Sequence, residues 1–126
     1  MILEGAKFVA LHDNQYVRTK YPKTQIVLHH TAGTHNARAV VLAHWNSNVE
    51  RVATPYIIDN KGGIVQCYDD EYYAYGLYVR APGNDVHIKY KRNDEVLNRC
   101  NIGIELTNAG YLTKDGDVYK PWFPKK

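Results

Sequence analysis

The chain alternates between short apolar runs and polar stretches in a way that places most of its elements. Gln25-Ile26-Val27-Leu28-His29-His30 is β-branched and uncharged up to its histidine end, which predicts a buried strand. Thr31 to Thr34 follows as a turn. From Asn36 to Trp45 the positions Ala37, Val40, Val41, His44 and Trp45 recur at helical spacing, so a helix is expected there. Thr34 or Asn36 is placed to cap it, and Asn46-Ser47-Asn48 to end it. Pro55 to Asp59 and Ile64 to Tyr68 flank Asn60-Lys61-Gly62-Gly63, the signature of a β-hairpin. Asn101 to Asn108 reads as a further strand, with Ile102, Ile104 and Leu106 on one face and Gly103, Glu105 and Thr107 on the other.

The remainder is less regular. The first twenty-four residues are polar and mixed and close as a loop at Tyr21-Pro22-Lys23. Asp69 to Arg80 is rich in tyrosine, and residues 81–98 are polar with a turn at Ala81-Pro82-Gly83-Asn84. Lys114-Asp115-Gly116-Asp117 marks a turn in the tail. Strands interleaved with a helix imply an α/β or α+β fold, and 126 residues make a single domain, 1–126.

Composition narrows the partners. A net charge of +3 is too small to make nucleic acid the first expectation, and Lys89-Tyr90-Lys91-Arg92 reads as a solvated loop. No run approaches the roughly 18 apolar residues of a membrane span, and Glu4 interrupts any signal-peptide-like start. Cys67 and Cys100 form no CxxC pair and are expected as free thiols. The aromatic balance is unusual: eleven tyrosines stand against two tryptophans and two phenylalanines. Each buried phenol needs a hydrogen-bond partner, so this excess points to a wet concave surface for a polar ligand.

Two places carry candidate chemistry. His29 and His30 end a rigid strand, where an imidazole is well fixed as a metal ligand, although neighbours on a strand point to opposite faces and do not share one ion. The plain alternative for His30 is a core or supporting histidine. Glu105 lies between Ile104 and Leu106, where a carboxylate is costly unless solvated or paired. Lining a cleft, it becomes a general base; otherwise it is an outward residue of a half-exposed sheet.

Taken in order, His29-His30-Thr31-Ala32-Gly33, Trp45-Asn46-Ser47, Tyr56-Ile57-Ile58 and Ile102-Gly103-Ile104-Glu105-Leu106 resemble the type 2 family of zinc-dependent N-acetylmuramoyl-L-alanine amidases. That family includes phage endolysins and shares the fold of the peptidoglycan recognition proteins. The resemblance is strongest over 25–119. It implies a mixed sheet flanked by helices and Zn2+ held in part by His29. Glu105 is then the catalytic glutamate, and the substrate is the amide between the lactyl group of N-acetylmuramic acid and L-alanine in bacterial peptidoglycan. Thr31, Thr54, Tyr56, Tyr73 and Asn108 then fall around the substrate groove, with His30 and Tyr75 beside them. The tyrosines between Tyr68 and Tyr78 become a platform for sugar and peptide. Such a protein is made in the cytoplasm, with phage encoding expected, and acts on the cell wall.

The sequence also departs from the family. A catalytic zinc site takes three protein ligands and a water, yet no His or Cys follows Glu105. His12, His35, His44 and His87 precede it without the family's context, and the closing helix is missing, which is expected to leave one sheet face uncovered. Gly76 stands where the phage branch carries a histidine. The leading expectation is a fragment of a longer amidase. The alternatives are a peptidoglycan-binding module or structural phage component without catalysis, and a site completed by an oligomeric neighbour.

Overall fold

A computed structural model describes residues 1–32, 37–47, 51–77 and 94–121. The turns expected at 31–34 and 81–84, the helix caps at Thr34 and Asn36, and the basic cluster at 89–92 lie partly or wholly outside these residues.

Five strands form the central sheet: β1 (Lys7–Phe8), β2 (Gln25–His30), β3 (Tyr56–Ile58), β4 (Ile64–Gln66) and β5 (Asn101–Leu106). Their spatial order is β1-β4-β3-β5-β2, with β3 and β4 antiparallel and every other pair parallel. Helices α1 (Ala37–Trp45) and α2 (Asp94–Cys100) accompany the sheet, and β6 (Leu112–Asp115) pairs with β7 (Val118–Pro121) in a separate hairpin. This is an α/β architecture, as the pattern predicts, with the mixed sheet that the resemblance implies. Among the described residues, no helix is long and apolar enough to cross a membrane.

Register fixes the two faces. In a parallel pair, residues at the same level point to the same side, so His29, Glu105 and Ile57 form one row across β2, β5 and β3. The core lies on this face: Ile57, Val65 and Cys67 are buried with Trp45, while Val41 and Leu42 pack against them. The helix therefore turns Arg38, Val41, Leu42 and Trp45 inward, at i, i+3, i+4 and i+7. The expected stripe is rotated slightly, since His44 is exposed and Leu42 takes its place. Ile57 is fully buried at the centre. Ile57→Ala is expected to cost about 2–5 kcal/mol, through lost apolar burial and a cavity that close packing cannot collapse. Denaturant unfolding measures it, and a loss below about 1 kcal/mol would contradict this placement.

The opposite face is covered unevenly. At β4, Gln66 is buried and its side chain clamps the N-terminal residues, accepting from the Leu3 amide at 2.8 Å and donating to the Met1 carbonyl at 2.7 Å. At β2, Ile26 and Leu28 remain 66% and 65% exposed. The expectation of a buried strand there is corrected: among the described residues β2 is an edge strand, paired on one side and uncovered on one face.

Three elements escape the sequence pattern. β1 is two residues long and Asp13–Gln15 is a single 3-10 turn, so neither shows a period. The α2 helix emerges from a polar stretch because it buries Leu97 and Asn98, the latter bonding both backbone groups of Leu77. The Lys114–Asp117 turn does close a hairpin, with Gly116 in the left-handed region. Both cysteines are free thiols.

Candidate active site

The parallel strands β2, β3 and β5 end together, and such ends are where open α/β sheets place ligands. His29 and Glu105 sit one residue before the ends of β2 and β5, directly across from one another. Strand spacing sets their backbones about 4.8 Å apart, with both side chains on the α1 face. Register thus brings these two candidate residues side by side.

Their surroundings differ from water in the same sense. Burial pushes the Glu105 carboxyl up to about 7, because the ionised form loses solvation. Burial also lowers the His29 pKa, with His30 adding a smaller repulsion, so the imidazole is neutral at pH 7. Its Nε2 is buried and has no hydrogen-bond partner among the described residues. A second such atom lies just past β5: Thr107 is 6% exposed and its Oγ1 is unpartnered among the described residues. Two buried polar atoms thus lie near a desolvated carboxyl, where an ordered water or a bound group would satisfy them. Sequence alternation put Thr107 on this face without singling it out.

The other candidate residues fall into separate groups. Thr31 continues the ladder, its amide donating to Leu106 at 3.0 Å and its hydroxyl to the Asn108 carbonyl at 3.4 Å. The Asn108 side chain in turn accepts from the Gly110 amide at 2.8 Å. Gly110 approaches so closely that a Cβ there would lie 2.9 Å from Ala32 and 3.2 Å from the His30 ring. His30, Thr31 and Asn108 are thus joined where the loops after β2 and β5 meet.

Thr54 is buried against Gly103 on the Glu105 face, with its hydroxyl donated to the Tyr56 carbonyl at 2.8 Å. Tyr56 is level with Ile104, which puts its ring on the opposite face. Its phenol donates to Asp70 at 2.8 Å, and burial with that carboxylate holds it protonated.

Tyr73 and Tyr75 belong to a different cluster. Tyr73 is 5% exposed and meets Tyr21 and Tyr75 edge-on at 5.7 and 5.9 Å, with the Arg99 guanidinium 4.9 Å from the Tyr21 ring and 5.8 Å from its own. Tyr16 stacks on Tyr68 at 4.8 Å and on Tyr72 at 6.0 Å. Much of the tyrosine excess therefore serves packing. At Gly76, a Cβ would come 3.0 Å from the Ala53 carbonyl, so any side chain there requires the backbone to give.

For zinc, the donor set is the test. The orphaned Nε2 of His29 suits a metal ligand, but among the described residues no three His, Cys, Asp or Glu side chains gather into a group that could hold an ion. The described residues do not complete a catalytic zinc centre.

A desolvated carboxyl and an imidazole thus lie side by side at the ends of the parallel strands. The sequence model of the N-acetylmuramoyl-L-alanine amidases matches residues 19–126, and the chain belongs to that family. No curated protein and no solved structure matches it.

Proposed function

We propose that the chain hydrolyses the amide joining the lactyl group of N-acetylmuramic acid to the L-alanine of the stem peptide, with Glu105 as general base. The observation that carries this reading is the level pairing of His29 with Glu105 on the buried face, in a member of the amidase family. With its pKa near 7, Glu105 takes a proton from the attacking water as the carbon–oxygen bond forms. It returns that proton to the alanine nitrogen as the carbon–nitrogen bond breaks, leaving a lactyl carboxylate and a free amine. A zinc ion, when held, would polarise the carbonyl and acidify the water. His29 is the side chain we propose to hold it, and the proton transfers rest on Glu105.

Mass spectrometry of purified cell walls after digestion tests the reaction. Stem peptides beginning with alanine, and glycan retaining the lactyl group, are expected. Products cut within the glycan or the peptide would contradict it.

A second reading, peptidoglycan binding without cleavage, is favoured by the incomplete zinc donor set among the described residues. It is distinguished by co-sedimentation with cell walls that releases no amine.

A further inference from the structure

The row beyond the His29–Glu105 pair is polar and only partly used. The Thr107 amide donates to the Ile58 carbonyl at 2.9 Å, which extends the β3–β5 ladder and makes Asp59 the cross-strand neighbour of Thr107. Asp59 is a rigid anchor. Its Oδ1 accepts from the amides of Lys61 at 2.9 Å and Gly63 at 2.8 Å, and these bonds hold its carboxyl below the usual carboxylate range.

Its Oδ2 receives a single nitrogen, Nη1 of Arg38, at 3.2 Å. The planar guanidinium carries five donors, and among the described residues this is its one hydrogen bond. Arg38 lies in the first turn of α1 on the inward stripe, where the positive end of the helix adds to its own field. Independently, the Thr107 hydroxyl on this row is buried and unpartnered among the described residues. A half-exposed guanidinium bonded to Asp59, and a buried hydroxyl on the row that faces Asp59, together offer the donors that a carboxylate takes.

The spacing locates that carboxylate on a substrate. Glu105 and Thr107 are two residues apart on one strand, or about 6.6 Å. A peptide advances about 3.3–3.6 Å per residue. With the scissile amide at Glu105, the residue after the alanine reaches the Arg38 row.

We propose that Arg38, anchored by Asp59 and aided by the Thr107 hydroxyl, is a specificity residue that recognises a free carboxylate on the second residue of the stem peptide. This inference rests on the hydrolase reading and gives it a substrate class: walls whose second residue is an acid rather than its amide.

Calorimetric titration of the full chain carrying Glu105→Gln, which prevents turnover, tests it. The probes are an N-acetylmuramoyl dipeptide with a free carboxylate on its second residue and the same compound with that group amidated. The acid is expected to bind about tenfold or more tightly than the amide. Adding Arg38→Gln should erase the difference, and Arg38→Lys should restore only part of it, because an ammonium lacks the planar fork.

Thr107→Val covers the case in which Arg38 variants unfold. It should weaken acid binding roughly threefold to tenfold while melting no lower than the parent, since it deletes an unsatisfied hydroxyl. Equal binding of acid and amide by the parent, or discrimination unchanged in both the Arg38 and Thr107 variants, would overturn the subsite. Binding of neither compound would contradict the muramoyl-peptide reading itself, and the subsite with it.

Discussion

Replacing Glu105 with Gln is expected to reduce the release of alanine-ended peptides by about 10²–10⁴-fold, the usual contribution of a positioned general base. The substitution keeps shape and removes the proton acceptor, so the loss should appear in kcat with substrate binding preserved. Stability should move the other way. A carboxyl raised from its ordinary 4.5 to about 7 binds its proton more tightly in the folded state, so wild-type stability declines as pH rises across that window. The variant escapes the decline. Its melting temperature should exceed the wild-type value at pH 8, with the gap closing towards pH 4.5. The wild-type rate should rise with pH as Glu105 ionises and then level off. A variant that is less stable than wild type at pH 8 would place the carboxylate in a structural ion pair instead.

His29→Ala is expected to cost about 10²–10³-fold in rate, the scale on which one preorganised polar group at a reacting centre counts. Its imidazole is neutral at pH 7, and its Nε2 is buried without a partner among the described residues. Circular dichroism should show an unchanged fold, because β2 lies at the sheet edge. His30→Ala provides the control, since His30 is exposed on the other face. Equal losses in the two variants would contradict the assignment of the site to one face.

The strands were legible in the sequence because they rest on local periods, whereas the roles expected of His29 and Glu105 came from the family resemblance. Six-residue strands at 25–30 and 101–106 announce themselves by composition, and alternation along the second separates Glu105 from Ile104. What binds His29 to Glu105 is non-local: the parallel register of two strands seventy residues apart, which no spacing in the chain encodes. The same limit hid the Arg38–Asp59 pair, since its members come from a helix and a hairpin turn.

The tyrosines taught a different lesson. Composition pointed to a wet platform, whereas Tyr56, Tyr68 and Tyr73 are buried, and only tertiary packing decides whether a phenol meets ligand or neighbour.

The central claim is that Glu105, paired with His29, drives cleavage at the lactyl–alanine amide. End-group analysis of purified peptidoglycan, treated with wild type and with Glu105→Gln in zinc-containing buffer at pH 8, tests it most directly. New N-terminal alanine with wild type, and none above background with the variant, is the expected result. Equal release by both proteins, or no release by wild type, would contradict it.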